Sequence, residues 1–423
     1  MLLDHHSPLA KELQPVVGHA FVSDSLETRT QFAVQRCVPG CVVAPATVEE
    51  LSAVLQVAHT QGAMVAPWGG GTQQALGNAP ERLDLVVRTR RLDRILIHEP
   101  DDLTISVEAG MTLGALRRHL AACNQMLPID PPLPDRATIG GLIATAMDGP
   151  RRLGFGTLRD LMIGVSVVEA SGRMSKAGGM VVKNVSGFDL MKLYHGSLGT
   201  LAVIASANFK LLPAPRASAL LLCGFSDLAV AFAFLDALHA TQLTPTAAEY
   251  LSGGALAALG VGGSCAVALL AEGLPQAVER HVRDLQALAV AHGGTAALAD
   301  DPALWAKIAD LPQLAQLDAN EAVVKCATLP GDLAATIAQL EATGGQPIIS
   351  ARALNGVAYA RLHGCDAVRL TRLAAELPGL QWIATPILGV PRWGHTPAGI
   401  ATMQRIKREF DQHNTLNRGR FVV

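Results

Sequence analysis

The stretch PWGGGTQQALG, residues 67–77, decides how the first half of this 423-residue chain is interpreted. Three consecutive glycines follow the run MVAPW, and a threonine and two glutamines come directly after them. A strand that ends in consecutive glycines can present several main-chain N–H groups on one side and form a concave site for phosphate oxygens. The residues leave two interpretations open, a cradle for a diphosphate and a tight turn. The common nucleotide-binding motifs do not fit, since the loop is neither GxxxxGKS/T nor a GxGxxG that opens a helix.

Composition and charge argue against several classes of function. The chain is 50% hydrophobic and 17% charged, which is a globular composition, and its length predicts two or three domains. Lys and Arg number 34 against 36 for Asp and Glu, so the net charge is −2, and only 4% of residues are aromatic. Neither value favours binding to nucleic acid or to an acidic membrane. Residues 1–15 lack a basic region followed by an apolar one, so we expect no signal peptide.

The cysteines argue against several kinds of site, and one long uncharged segment has to be tested as a membrane span. The seven cysteines are scattered and include no CxxC pair, which argues against a disulfide framework, a zinc ribbon and an iron–sulfur cluster. Residues 250–271 carry no charge and are long enough to span a bilayer. However, the SGG and GVGGS breakers split this segment into a short helix, a turn and a strand. We therefore expect no transmembrane segment.

From Cys41 onward, short strands alternate with helices. Thr47 precedes Glu50 by three residues, which predicts the start of an amphipathic helix at 48–62, and Thr112 predicts the start of another. Alternating or apolar runs predict strands at 41–44, 64–67, 83–87, 93–97, 103–110, 162–172 and 197–215. From about 216 to 385, alanine-rich helices alternate with strands, which suggests helices packed on one face of an antiparallel sheet. An amphipathic helix is predicted in the tail, residues 400–421.

Two later segments also permit close approach to the main chain. In residues 130–160, Gly140 and Gly141 would let a flat ligand lie against the backbone, and Thr138 and Thr145 could donate hydrogen bonds. The alternative is a helix packed closely through small residues. In residues 183–204, a glycine-interrupted turn leads into a strand whose main chain could pair with the edge of a planar heterocycle. The alternative there is a surface pair of Lys183 with Asp189 beside a plain loop.

In their order and spacing, these segments resemble the FAD domain of the vanillyl-alcohol-oxidase or PCMH-type flavoproteins. Within that superfamily the chain is most similar to the FAD-binding subunits of glycolate oxidases. The likeness is dense over residues 40–215 and thin across the middle of the chain. It returns in FDQHNTLNRGRF, which is similar to the Asp…Asn-x-Gly-(Lys/Arg) ending of the family. The segments that carry it are residues 42–72, 138–149, 154–172, 181–204 and 410–421.

The resemblance implies an α+β fold, in which a two-subdomain PCMH-type FAD-binding domain is followed by an α+β cap domain with an antiparallel sheet. It implies four regions: an N-terminal extension at 1–39 that packs on the FAD domain, the FAD-binding domain at 40–215, the cap at 216–385, and a C-terminal segment at 386–423 that returns to the FAD domain.

The resemblance also implies which residues bind FAD. The glycine loop would bind the pyrophosphate through main-chain N–H groups, the second segment would line the flavin and ribityl chain, and the third would offer main-chain partners near the flavin or adenine. In the same order, these residues are Trp68, Gly69, Gly70, Gly71, Thr72 and Gln73; Thr138, Gly140, Gly141 and Thr145; and Val203 and Ile204. Relatives with covalent FAD often carry a histidine in the loop or a cysteine in the second segment. This chain has Thr72 in the loop and no cysteine between residues 131 and 160, so non-covalent FAD is expected.

The chain departs from the family at the substrate site. Oxidation of a 2-hydroxy acid needs a cation for the carboxylate and a base or metal for the hydroxyl. Catalytic relatives carry a GDGNxH-type metal strand, whereas this chain has RLHGCDA at 361–367, and we expect no metal. His363 and His395 stand 32 residues apart with no Glu-His pair between them. Arg392 and His395, with Trp393 between them, are therefore the predicted catalytic or flavin-contacting residues.

From this resemblance we expect an FAD-linked oxidoreductase that takes part in oxidising glycolate or a related D-2-hydroxy acid and relays electrons through non-covalent FAD. By resemblance, its partners would be a homologous catalytic flavoprotein subunit and an iron–sulfur subunit. The expected location is the cytoplasm, with peripheral association at the inner membrane through the complex. Two alternatives stay open: a self-sufficient FAD-dependent D-2-hydroxy-acid dehydrogenase, and a non-catalytic scaffold subunit of the complex.

Overall fold

The structure is a computed structural model that describes residues 7–181, 188–377 and 379–423. Its strands are β1 (Val22–Ser23), β2 (Cys41–Val43), β3 (Val65–Trp68), β4 (Leu85–Arg88), β5 (Ile95–Glu99), β6 (Thr104–Glu108), β7 (Gln125–Met126), β8 (Met162–Glu169), β9 (Met174–Gly178), β10 (Ala202–Lys210), β11 (Leu212–Pro213), β12 (Ala217–Phe225), β13 (Ala247–Ser252), β14 (Cys265–Gly273), β15 (Thr295–Leu298), β16 (Ala322–Ala327), β17 (Ile348–Arg352), β18 (Val357–Leu362) and β19 (Leu380–Ala384).

The helices of the described residues are α1 (Pro8–Val17), α2 (Leu26–Gln31), α3 (Val48–Thr60), α4 (Leu113–Ala121), α5 (Ile139–Thr145), α6 (Arg152–Phe155), α7 (Leu158–Leu161), α8 (Met191–Tyr194), α9 (Leu228–His239), α10 (Gly253–Ala258), α11 (Pro275–Ala291), α12 (Leu304–Asp310), α13 (Leu333–Glu341), α14 (Ala367–Glu376) and α15 (Ile400–Phe410), with short 3-10 turns at His19–Phe21 and Pro330–Asp332.

Local capping sets the start of the helices that surround the site. The Thr47 hydroxyl accepts a hydrogen bond from the Glu50 N–H at 3.1 Å, and the Glu50 carboxylate accepts one from the Ala46 N–H at 2.7 Å. Thr112 caps α4 and Thr138 caps α5 in the same way. These threonines satisfy N–H groups that the first turn of a helix leaves free. The predicted starts of α3 and α4 are confirmed.

Two sheets form the first half of the chain. The first has the strand order β1-β2-β4-β3, with β2, β4 and β3 parallel to one another, and the second is antiparallel with the order β5-β6-β10-β8-β9. Helix α3 lies between them, because its buried Leu51, Val54 and Leu55 share one core with the first sheet and with Val203 of the second. Helix α1 packs into the same core.

An eight-stranded, fully antiparallel sheet forms the second half, with the order β15-β12-β14-β13-β17-β18-β16-β19. Helices α9, α11, α13 and α14 pack on one face, as the alternation of helix and strand predicted. The opposite face contacts the short helices α10 and α12, so the prediction that the helices pack on one face holds only for the four longer ones. Its remaining part, including Tyr359 and Trp382, packs into the same core as Met147 and Ile204 of the first half. The α+β prediction is therefore confirmed.

The uncharged segment at 250–271 folds as the breakers predicted. It passes through the end of β13, the short helix α10 and most of β14. Among the described helices, none combines the length and the apolar character needed to cross a membrane. Among the strands that the sequence did not predict, β9 is an edge strand whose sequence, MSKAG, has no alternation of apolar and polar residues.

The C-terminal segment packs against the first half. The buried Lys407 ammonium donates to the Thr200 carbonyl at 2.7 Å and to the Leu416 carbonyl at 3.1 Å, and it pairs with Asp411. The Asn417 side-chain amide donates to the Leu198 carbonyl at 2.5 Å. These contacts hold the last turn of the chain beside the loop that leads into β10.

Candidate functional site

One cavity brings together segments that are far apart in the sequence. Its walls come from the glycine loop after β3, from α5, from the start of β10 and from the C-terminal turn. All twelve residues predicted to bind the cofactor line it. These are Trp68, Gly69, Gly70, Gly71, Thr72, Gln73, Thr138, Gly140, Gly141, Thr145, Val203 and Ile204. We call it the glycine-loop cavity.

The glycines of the loop are needed first of all for packing within the protein. A β-carbon at Gly70 would lie 1.7 Å from the Arg136 carbonyl oxygen, and one at Gly69 would lie 2.1 Å from the Thr138 hydroxyl. Gly71 has a φ of +70°, a backbone conformation that residues other than glycine rarely adopt. The loop is therefore a tight turn seated on residues 136–138, and it also forms one wall of the cavity. The two interpretations of its sequence are compatible.

Helix α5 is both a closely packed helix and a wall of the cavity. The Thr138 hydroxyl accepts from the Gly141 N–H at 3.3 Å, and the Thr145 hydroxyl donates to the Gly141 carbonyl at 2.8 Å. A β-carbon at Gly140 would lie 2.8 Å from the Ala109 β-carbon. The small residues thus let α5 approach the segment after β6, and the Thr145 hydroxyl proton is already used within the helix.

The start of β10 offers main-chain groups toward the cavity. Val203 and Ile204 pair with β8, whereas pairing with β6 begins only at Ser206. One edge of the strand at residues 203–204 therefore has no strand partner. This is the kind of edge that the sequence predicted for a planar ligand. The alternative pair of Lys183 with Asp189 cannot be described, because Lys183 lies outside the described residues, and Asp189 contacts Lys192 at 2.7 Å.

Two residues of the C-terminal turn complete the cavity and were not assigned to it from the sequence. Arg420 is only 6% exposed, and its guanidinium donates to the Gln74 side chain at 2.9 Å and to the Gln74 and Leu76 carbonyls at 2.8 and 2.6 Å. Burial lowers the pKa of Arg420 to about 10, so the group stays charged at neutral pH. No carboxylate among the described residues pairs with it. Asn417 and Arg420 belong to NRGR, residues 417–420, in the C-terminal segment that resembles the family, and this resemblance is the signal that could have assigned them to the site.

Unpartnered buried atoms show that the cavity is built for a polar ligand. Gln73 Oε1, Asn417 Oδ1 and Arg420 Nε are buried and have no hydrogen-bond partner among the described residues. Buried polar atoms are nearly always bonded, and a buried cation without a counter-charge is unfavourable. An anionic oxygen, such as one of a diphosphate, would accept from Arg420 Nε, whereas the two amide oxygens need a hydroxyl or N–H donor, which FAD also carries. The residues present therefore fit the diphosphate part of FAD.

Arg392 and His395 do not line the glycine-loop cavity. Arg392 is buried, and its two Nη atoms donate to the Thr385 and Ile387 carbonyls at 2.5 and 2.7 Å. His395 is exposed, and Trp393 donates to the Arg420 carbonyl at 3.2 Å. Arg392 thus holds the turn after β19, because its terminal donors are occupied there. Its catalytic role and that of His395 stay predictions, and the described geometry gives them no support.

The histidine considered for a metal site has a different neighbour. His363 Nδ1 lies 2.8 Å from Glu321 Oε1 and is 42% exposed at its side chain. Across the described ranges there is no group of three or more His, Cys, Asp or Glu side chains that could hold a metal ion. Arg361 also pairs with Glu321, at 3.0 Å. His363 therefore contacts Glu321 beside Arg361 on the eight-stranded sheet.

Comparison with known proteins agrees with this geometry. Residues 39–187 match the family model described as an FAD binding domain. The chain is 30% identical over 259 residues to glycolate oxidase subunit GlcD of Bacillus subtilis, covering 59% of this chain and 55% of the relative. It is 37% identical over 151 residues to glycolate oxidase subunit GlcE of Escherichia coli, covering 36% and 43%. The chain thus spans about half the length of these curated relatives.

A solved structure extends the likeness of the fold to the whole chain. The structure of p-cresol methylhydroxylase with substrate bound superposes with a TM-score of 0.76 at 14% identity, covering 97% of this chain and 96% of the other. At this identity, the likeness shows the fold alone. The chain therefore contains an FAD-binding domain and has the PCMH-type fold that its sequence resembled.

Proposed function

We propose that this chain, whose FAD-binding domain indicates the cofactor, is an FAD-carrying subunit of a glycolate-oxidase-like complex. In that complex it takes part in oxidising glycolate or a related D-2-hydroxy acid and relays electrons through non-covalent FAD. The observation that carries the proposal is the glycine-loop cavity, in which twelve predicted residues meet a buried, unpaired Arg420. The two glycolate oxidase subunits among the relatives supply the substrate class.

Different residues of the cavity would hold different parts of the cofactor. The loop at residues 68–73 would supply main-chain N–H groups to the diphosphate, and Arg420 would supply the positive charge that the loop lacks. Thr138, Gly140, Gly141 and Thr145, which line the cavity, would lie along the flavin and ribityl chain. The free edge of residues 203–204 would pair with the flavin or adenine. Bound FAD supplies a two-electron acceptor for oxidation of a CH–OH group.

Two observations support non-covalent binding and a relay of electrons. Among the described residues that line the cavity there is no cysteine, histidine or tyrosine that could form a bond to the flavin. The seven cysteines have no cluster-binding spacing, so electrons leaving the FAD need another protein or a soluble acceptor. We propose that these partners are a homologous catalytic flavoprotein subunit and an iron–sulfur subunit.

The experiment is a set of absorption spectra of the full chain. We expect a yellow protein that keeps its flavin through gel filtration and releases it on acid precipitation. Glycolate should bleach the flavin band only after the partner subunits are added. Bleaching by glycolate in the isolated chain would instead indicate a self-sufficient dehydrogenase. A protein that stays colourless after incubation with FAD would contradict the proposal and favour the scaffold.

A further inference from the structure

The last part of the glycine loop, residues 74–77, lies in neither a helix nor a strand, so its main-chain carbonyls need partners from elsewhere. A side chain that precedes the first parallel strand bonds two of them. The Gln35 amide nitrogen donates to the Ala75 carbonyl at 3.1 Å and to the Gly77 carbonyl at 2.6 Å. Gln35 is 40 and 42 residues away from these two positions, so only the tertiary fold brings them together.

The two neighbouring carbonyls are bonded from another direction. The Arg420 guanidinium donates to the Gln74 carbonyl at 2.8 Å and to the Leu76 carbonyl at 2.6 Å. Four consecutive carbonyls thus alternate between Arg420 and Gln35. Gln74, Leu76 and Arg420 line the glycine-loop cavity, whereas Gln35 is not among its lining residues. Gln35 therefore holds the end of the loop from behind the cavity wall.

Gln35 lies in a turn whose backbone conformation is unfavourable for a glutamine. Val34 and Cys37 exchange main-chain hydrogen bonds at 3.0 and 2.9 Å, which makes Gln35 and Arg36 the two central residues of a tight hairpin. Their φ angles are +45° and +73°. Such turns favour Asn-Gly, because a β-carbon destabilises a positive φ. A glycine at position 35 would suit the turn better, but it would leave two loop carbonyls without their donor.

The segment around this turn is fixed to the first sheet and to the start of the glycine loop. We call residues 32–37 the N-terminal hairpin. Val34 is fully buried and packs in one core with Ala66 and Val86 of the first sheet. The Phe32 ring meets the Trp68 ring edge to face, with 5.2 Å between the ring centres. The N-terminal hairpin therefore contacts the glycine loop at both ends, at residue 68 and at residues 75–77.

We propose that Gln35 is a positioning residue for the cofactor, which fixes the end of the glycine loop so that the N–H groups of residues 69–73 are preset for the diphosphate. This inference rests on the proposed function. A loop that moves freely adopts the binding conformation for only a fraction of the time, and the Kd rises by the inverse of that fraction. Gln35 acts through the loop, and it lies before residue 39, where the match to the FAD-binding family model begins.

The test is titration of the FAD-free full chain with FAD, followed by flavin fluorescence. Gln35→Met keeps the length of the side chain and removes both donated bonds, so we expect the Kd for FAD to rise by about 5- to 50-fold. Gln35→Gly removes the same bonds but suits the positive φ, and it should raise the Kd to a similar degree. The glycine variant serves if the methionine variant fails to fold.

Arg36→Met is the matched control. Arg36 shares the turn and the positive φ, but its side chain is exposed, so its replacement should leave the Kd unchanged. Hydrogen exchange of the FAD-free chain gives a second readout, because a loosened loop opens more often. Amides of residues 68–78 should exchange faster in Gln35→Met than in Arg36→Met.

A purely structural role for Gln35 predicts a different result. It would lower the Tm of the FAD-free and FAD-bound chains equally and leave the Kd of Gln35→Met unchanged, which would overturn the inference. Equal exchange of residues 68–78 in the two variants would also overturn it, as would an equal rise in Kd for Arg36→Met. Reduction of the bound flavin by glycolate with the partner subunits is a separate readout, so the proposed function can fail while the difference in Kd persists.

Discussion

Replacing Arg420 with methionine removes the positive charge of the glycine-loop cavity and keeps most of the length of the side chain. In the protein without FAD, Arg420 is a buried cation with no described carboxylate partner, so the loss of its charge relieves a desolvation cost. In the protein with FAD, the same change leaves the diphosphate without its counter-charge. The substitution should therefore weaken the FAD-bound form more than the FAD-free form.

The size of the effect follows from the contacts of Arg420. Removing one member of a buried, hydrogen-bonded charge pair typically costs about 2–5 kcal/mol, which raises the Kd for FAD by roughly 30-fold or more. Arg420 also donates three hydrogen bonds to residues 74 and 76, so the loop loses some of its support. That second effect lowers the stability of both forms and cancels when the two are compared.

Two measurements check this prediction. FAD titration followed by flavin fluorescence gives the Kd, and thermal melting with and without FAD gives the stabilisation due to the ligand. Arg418→Met is the control, because Arg418 is two residues away and exposed, and it should leave both values unchanged. If Arg420→Met binds FAD as tightly as the wild type and shows the same ligand-induced shift in Tm, the diphosphate is not beside Arg420.

Three further predictions concern stability. Gly70→Ala should lower the Tm even without FAD, because its β-carbon would lie 1.7 Å from the Arg136 carbonyl oxygen, and an unchanged melt would contradict that packing. Lys407→Met should lower the free energy of unfolding, measured in urea, by about 3–5 kcal/mol, because it leaves the buried Asp411 carboxylate without its cation. A loss below about 1 kcal/mol, which is typical of an ion pair on the surface, would exclude a buried pair. Glu249 has its pKa raised to about 8 by burial, so the folded state keeps a proton that the unfolded state loses above its ordinary pKa near 4.5. The Tm of the wild type should therefore fall relative to the Tm of Glu249→Gln as the pH rises from 4.5 to 8. If the two proteins give parallel curves of Tm against pH, the pKa of Glu249 is not raised.

The sequence predicted the secondary structure of the site well, because the signals there are local. Thr47 and Thr112 cap helices where their spacing predicted, and the breakers in residues 250–271 end α10 and precede β14. The three glycine-containing segments were assigned to one ligand by their order, and the structure brings them to one cavity. The strand β9 was missed because an edge strand with a mixed sequence carries no periodic signal.

The surroundings of buried arginines could not be predicted from the sequence in the same way. Arg392 and Arg352 are the same residue type, and both lie in the second half of the chain. They differ in their partners: Arg392 donates to the carbonyls of Thr385 and Ile387 in its own segment, whereas Arg352 donates to the carbonyl of Asp148, which is 204 residues away in the chain. A pattern of residue types carries no information on such distant pairing.

The amino-acid sequence by itself determined the α+β class, the positions of most helices and strands, and the presence of a glycine-rich site typical of an FAD domain. These features depend on interactions within a few residues, such as caps, turns and apolar periodicity. Only the tertiary structure decided why Gly69 and Gly70 must be glycine, that Arg420 is a buried cation in the same cavity, and that Arg352 contacts Asp148. Burial, close approach and unpaired charge arise when strands and loops from distant parts of the chain pack together, and no local pattern encodes that contact.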